Sequence, residues 1–145
     1  MASLRKFLKE KDYQRVKLIE TATNHLELKV EINGIEGNFI LDTGASSSCI
    51  ANDMVEHFKL YAEESDIRAA GAGAINMETQ LANKNTLKIG SWKRKKVSLV
   101  LFDLSHINQA LTDHDANKVH GIIGADILDK GKAIIDYKSK SLFLK

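Results

Sequence analysis

From Leu26 to Ile32 apolar residues alternate with Glu27, Lys29 and Glu31, the two-residue period of a strand with one buried face. Asn33-Gly34 follows, a strong hairpin signal, and the returning run Gly37-Asn-Phe-Ile-Leu41 ends directly at Asp42. Cys49-Ile50 resumes an extended apolar stretch. Further strands are expected over Leu87 to Ile89, Val97 to Phe102, Val119 to Ile123, Ala133 to Tyr137 and Leu142 to Leu144. Gly90 to Lys96 joins the first two as a loop, and Lys138-Ser-Lys140 turns the last pair.

Helical spacing is scarcer. Leu4, Phe7 and Leu8 predict a short charged helix over residues 3 to 11, whose apolar stripe must dock somewhere. Asn52 or Asp53 is a cap for a helix reaching Leu60, Ser105 for one ending near Leu111, and Gly131 closes a short helix from Gly124 to Lys130. The small, glycine-containing stretch from Ile67 to Ile75 reads as a hairpin tip or loop. The pattern contains no repeat or linker, so the expected class is mainly β with short helices. Residues 1–20 are expected as an accessory, helical N-terminal segment and 21–145 as the domain proper.

Composition narrows the function more by exclusion than by indication. The 145 residues suffice for one core without staples, 43% are apolar and 28% charged, and no apolar run is long enough to cross a bilayer. Charges interrupt the N-terminal stretch where a secretion signal would need apolar residues, and Cys49 is the only cysteine, which makes the cytoplasm the expected compartment. A net charge of +2 gives no general argument for nucleic acid. Proline is absent, so turns must come from Gly, Asn and Asp.

Local features invite other chemistries and mostly fail. Trp92 beside Lys93 to Lys96 has the look of a nucleic-acid patch, but a solvated hairpin loop is the preferred reading. Asp113-His-Asp-Ala-Asn117 opens like a calcium loop, yet Lys118 stands where glycine is required and Gly124 where a bidentate Glu belongs. His114 and His120 match no closed zinc spacing, so neither a metal nor a cofactor is expected. Cys49 and His57 could imitate a thiol nucleophile, but Cys49 enters an apolar strand and reads as a small hydrophobe. Gly44-Ala-Ser-Ser-Ser48 lacks the closing glycine of a nucleophile elbow.

One carboxylate stands out. Asp42-Thr-Gly44 after a hydrophobic strand, followed by Ala45-Ser46, resembles the active-site turn of aspartic proteases, with Ala45 favouring the retropepsin branch. Downstream, His120-Gly-Ile-Ile-Gly-Ala-Asp126 resembles the family's segment of two apolar residues and a glycine that passes beside that turn, and Ile134 to Leu144 is similar to the superfamily's terminal hairpin. The resemblance runs from about Thr23 to the end. The first twenty residues have no counterpart in the minimal retroviral enzyme.

The resemblance implies a retropepsin-like acid protease barrel with one lobe per chain and a dimeric active site. Hydrolysis by this route needs two carboxylates too close to ionise together. Asp-Thr-Gly occurs once and the chain is too short for two lobes, so the second Asp42 must come from a homodimer partner. Thr43 would bond across to the partner's turn, while Gly44 is expected to take a positive φ and bring backbone N–H groups to the carboxylate. Ile40, Leu41, Ile122 and Ile123 would surround the acids with apolar packing.

Ala45, with Gly71, Ala72 and Gly73 at a flap tip, would contact an extended peptide substrate. Asp126 is expected to satisfy backbone donors at its own helix start, not to catalyse. The implied activity is an aspartic endopeptidase with no cofactor, no nucleic acid and no membrane. Its rival is a catalytically silent peptide-binding module with the same fold, and an interaction protein holding nucleic acid stands behind both.

Overall fold

The computed structural model describes residues 3–60, 62–71 and 74–145. The N-terminal helix, α1, spans Leu4–Glu10, with the Ser3 hydroxyl accepting the Lys6 N–H at 3.1 Å. Only Leu8 of its apolar stripe is buried; Leu4 and Phe7 stay 46% and 50% exposed. Next come β1 (Gln14–Lys17) and β2 (Ile19–Glu20). β1 pairs with a strand from the far end of the chain, which ties residues 14 to 17 into a sheet.

Then follow β3 (Leu26–Ile32) and β4 (Ile35–Leu41), the hairpin that alternation predicts, with Leu26, Leu28, Val30 and Ile32 all buried. Asn33 and Gly34 take positive φ of 53° and 86°, the mirror-image turn whose twist matches the strands. The Asn33 side chain also accepts the Thr86 N–H and donates to the Phe58 carbonyl and Asn85, so the turn is a structural clamp as well.

After the turn at Asp42 the remaining elements are β5 (Cys49–Ala51), β6 (Ala62–Gly71), β7 (Ala74–Ile89), β8 (Trp92–Phe102), α2 (Ser105–Asp113), β9 (Gly121–Ile123), α3 (Ala125–Lys130), β10 (Ile134–Asp136) and β11 (Ser141–Leu144). Neighbours run β2-β3-β4-β9-β5-β8-β7-β6, and β3 also pairs with β7 at Glu31↔Lys88 and Ile32↔Leu87. That pairing closes a six-strand ring of β3, β4, β9, β5, β8 and β7, which removes its free edges. A second sheet, β1-β11-β10, stands beside it.

Two local expectations are corrected and one is settled between its alternatives. The stretch from Ile67 to Ile75 falls at the end of the long β6–β7 hairpin, the first of the two readings, and most of it is strand, because ladder pairing with β7 outweighs the weak strand preference of Ala and Gly. Lys93 to Lys96 lie within β8, not in a connecting loop; Gly90, at φ 59°, and Ser91 make the turn alone. The helix expected from Asn52 to Leu60 shrinks to a 3-10 turn, Asn52–Met54, with no side-chain cap. Phe58 is fully buried, and the chain folds inward around it in turns.

Two apolar clusters result. The larger fills the barrel with residues such as Ile32, Phe39, Leu99 and Ile123. The smaller lies between the barrel wall and α2 and contains Ile40, Val100, Phe102, Leu111 and Ile122. Among the described residues no helix is long and apolar enough to cross a membrane.

Candidate active site

β4 delivers the chain to Asp42, and the parallel strand β9 holds it there through the register Phe39↔Gly121, Ile40↔Ile122 and Leu41↔Ile123. One step further the Asp42 N–H donates to the Ile123 carbonyl at 3.0 Å, so the two sequence motifs are joined at the acid itself. The Ala45 N–H closes the turn on the Asp42 carbonyl at 3.2 Å, and the Gly44 N–H donates to Asp42 Oδ1 at 2.9 Å. Asp42 is half-buried, with Thr43 and Gly44 exposed beside it.

Gly44 does not have a positive φ, contrary to expectation. Its requirement is for space: a Cβ there would come 3.2 Å from Asp42 Oδ1, pressing on the oxygen that its own N–H holds. The glycines of the second motif are needed more severely. A Cβ at Gly121 would approach the Cys49 carbonyl at 2.3 Å, and one at Gly124 would approach the Ala45 carbonyl at 2.5 Å.

Asp126 is also corrected. Its Oδ1 accepts the Ser48 N–H at 2.9 Å and the Ser48 hydroxyl at 2.7 Å, reaching across to the strand after the active-site turn and not to its own helix start. The same hydroxyl oxygen accepts the Gly124 N–H at 2.8 Å, and the Ala125 N–H donates to the Ala45 carbonyl at 2.7 Å. Ser48 is fully buried. These bonds staple the Asp42 loop to the start of α3, and a short polar residue at 48 was the sole sequence signal for them.

The four apolar residues do not form one shell around the acid. Alternation sends Leu41 and Ile123 to the barrel core and Ile40 and Ile122 to the smaller cluster, against which Ala45 packs. Cys49, buried in that cluster, has its thiol pushed up to about 12, mainly by burial and further by Asp126 and Asp42. It therefore stays protonated and cannot serve as a nucleophile near neutral pH.

Sequence reasoning did not foresee two features. His57 and His120 stack with ring centroids 5.8 Å apart, and His120 Nδ1 accepts the Asn38 N–H at 2.9 Å. Burial first, then His57 and Lys29, hold the His120 imidazole below its ordinary range. Asn108 of α2 grips the β9 approach at both backbone groups, accepting the Val119 N–H at 2.8 Å and donating to its carbonyl at 3.1 Å. No spacing rule links residues so distant in sequence.

Gly71 ends β6 and pairs with Ala74, whereas Ala72 and Gly73 lie outside the described residues. Among the described residues no group of three or more His, Cys, Asp or Glu is placed to hold a metal. On β8 the Arg94 guanidinium lies 4.5 Å over the Trp92 ring.

A closed six-strand barrel in which an Asp-Thr-Gly turn is bonded to an Ile-Ile-Gly strand defines a retropepsin-like protein. Solved structures agree on the fold. A retropepsin-like aspartic protease from Rickettsia conorii superposes with a TM-score of 0.62 at 16% identity, covering 91% of this chain and 89% of that one. The protease of EIAV, solved with the inhibitor HBY-793, gives 0.53 at 23% identity over 76% and 90%. The retroviral protease-like domain of Ddi1 from Leishmania major gives 0.55 at 15% over 83% and 88%. No curated protein sequence matches. The family model described as aspartyl protease matches residues 28–127, and the chain belongs to that family.

Proposed function

We propose that the protein is an aspartic endopeptidase whose active centre forms between two copies of the chain, each contributing Asp42. The observation that carries this reading is the turn itself: Asp42 is oriented by the Gly44 N–H, while Asp126, the other acid bonded to this loop, is committed to Ser48. A single turn supplies half of a dyad, and a two-fold axis beside exposed Thr43 would supply the rest.

Two carboxyls in contact share one proton, since like charges at that distance cannot both persist. The ionised Asp42 takes a proton from water as it attacks the scissile carbonyl. The protonated Asp42 hydrogen-bonds the carbonyl oxygen as negative charge develops there, then a proton passes to the departing amine. Thr43 locks the two turns together, Gly44 holds the carboxylate, and Ala45 lines the floor under the substrate. Gly71, Ala72 and Gly73 are assigned to the flap, the β6–β7 hairpin supporting that assignment, and α1 is an accessory element. The substrate is a peptide in extended conformation, and the shared proton predicts an acidic to near-neutral optimum.

The test is cleavage of a diverse peptide pool by wild type and Asp42→Asn, read by mass spectrometry from acidic to neutral pH. The substitution should lower kcat/KM by about three orders of magnitude or more. Undiminished cleavage by a folded Asp42→Asn protein would remove the reading, and a strictly alkaline optimum would count against the shared proton.

A further inference from the structure

The hairpin of β7 and β8 carries a concentration of charge that peptide hydrolysis leaves unused. Residues 84–96 hold six basic side chains, Lys84, Lys88, Lys93, Arg94, Lys95 and Lys96, and no acidic one. They are six of 21 basic residues in a chain with 19 acidic ones, so the remainder of the molecule is net negative. All six are exposed on a wall whose inner side, at Leu87, Ile89 and Val97, is barrel core.

Two irregularities in the ladder build this face. The register passes from Ala82↔Leu99 to Asn85↔Val97 and then to Leu87↔Arg94, which adds a residue first on β7 and then on β8. Lys84 and Lys96, one in each bulge, take positive φ of 60° and 57°, a backbone form that residues with a side chain disfavour. A regular strand would turn alternate residues inward, whereas Lys93 to Lys96 are all exposed. Lys88 and Lys93 stand directly opposite each other across the strands, an unfavourable like-charge pair that a bound polyanion would relieve. Of the six, only Lys88 forms an ion pair among the described residues, with Glu31 at 3.7 Å.

The surroundings decide which polyanion fits. Trp92 is buried, with the Arg94 guanidinium 4.5 Å over its ring, and the large exposed apolar residues Leu4, Phe7, Ile19 and Tyr137 lie outside the hairpin. The hairpin therefore has no aromatic anchor for a protein interface, no apolar side chain to enter a membrane and no open ring on which a base could stack. Charge alone is presented, and it is presented by an ordered strand, not by the solvated loop expected at Lys93 to Lys96. That suits sequence-independent contact with a nucleic-acid backbone, where one negative charge falls on every ~1.7 Å of duplex axis. At its other end β8 meets the Asp42 loop, the Val100 N–H donating to the Ser48 carbonyl at 3.1 Å. Lys96 lies roughly 13 Å back along the strand from Val100.

We propose that the outer face of the β7–β8 hairpin binds the phosphate backbone of nucleic acid without reading its sequence, independently of the peptidase site.

The full chain would be titrated into a fluorescein-labelled duplex of about 20 base pairs and anisotropy read between about 50 and 200 mM salt. Affinity should fall by about 100-fold over that range, as for roughly four neutralised phosphates. Lys84→Gln, Lys93→Gln, Lys95→Gln and Lys96→Gln together should weaken binding by about tenfold or more at the lower salt, and should reduce the slope of log K against log salt by about three to four. The same loss of charge on α1, through Arg5→Gln, Lys6→Gln, Lys9→Gln and Lys11→Gln, should change affinity by about twofold or less. Should the hairpin variant fail to fold by circular dichroism, Lys93→Gln with Lys95→Gln carries the test, with a slope change of about two. No binding at the lower salt, a slope indifferent to the hairpin substitutions, or equal weakening by the α1 set overturns the proposal. Tighter binding to polyglutamate or to phosphatidylserine vesicles than to the duplex also overturns it, assigning the face to an acidic protein or a membrane.

Discussion

Ser48 shows how one small side chain can organise the Asp42 loop. Its hydroxyl donates to Asp126 and accepts from Gly124, and it is wholly buried, so all of its hydrogen-bonding partners are protein groups fixed in place. Ser48→Ala would leave the Gly124 N–H without an acceptor and weaken the hold on Asp126, at a cost of about 1–3 kcal/mol. Urea unfolding should register that loss as a lower midpoint, and a midpoint within error of wild type would show the staple to be dispensable. His120 makes a second residue-scale prediction. Its Nδ1 is an acceptor, so the neutral ring is the bonded form, and burial holds its folded pKa below the ordinary 6.5. Above 6.5 neither folded nor unfolded chain binds this proton, and the stabilisation is complete. As pH falls below that value the unfolded state takes the proton first, and stability declines until the folded ring also titrates. The melting temperature should therefore drop on acidification below 6.5, and the drop should shrink in His120→Gln. An identical pH slope in the two proteins would assign the effect to other groups.

At the scale of elements, the site depends on how closely two strands and a turn approach. β9 runs between β4 and β5 with glycine at the point where the Cys49 carbonyl leaves no room for a Cβ. Gly121→Ala cannot be absorbed by a side-chain rotation, because the obstructing atom is backbone, and should destabilise by about 1–3 kcal/mol or more through forced strand separation. Thermal unfolding checks this, with a loss well below that range pointing to an easily displaced β5. Patterning made β3, β4 and the terminal hairpin legible, since each has one buried face or a clear turn pair. The β6–β7 hairpin and the basic part of β8 were not legible in the same way. Ala, Gly and a run of lysines carry little strand preference, and what extends them is the ladder to neighbouring strands.

For the whole molecule the consequence of a single Asp-Thr-Gly turn is that activity should depend on association. If each centre takes one Asp42 from each chain, adding excess Asp42→Asn protein to wild type should suppress cleavage through mixed dimers carrying one carboxylate. Specific activity should also fall on dilution, as dimers dissociate. Activity proportional to the wild-type fraction and indifferent to dilution would place a complete centre in one chain.

Asp42, Thr43, Gly44 and the Gly-Ile-Ile-Gly segment were readable from the sequence because turn chemistry and apolar strands are local, and their order along the chain pointed to the family. The mainly β class followed from the two-residue period for the same reason, and the barrel from the resemblance of those motifs. Local rules could not assign Asp126 to Ser48, stack His57 on His120, or lay α2 against Val119. Those contacts join residues remote in sequence, and they exist only because closing β3 onto β7 leaves each side chain a single direction and a single set of neighbours.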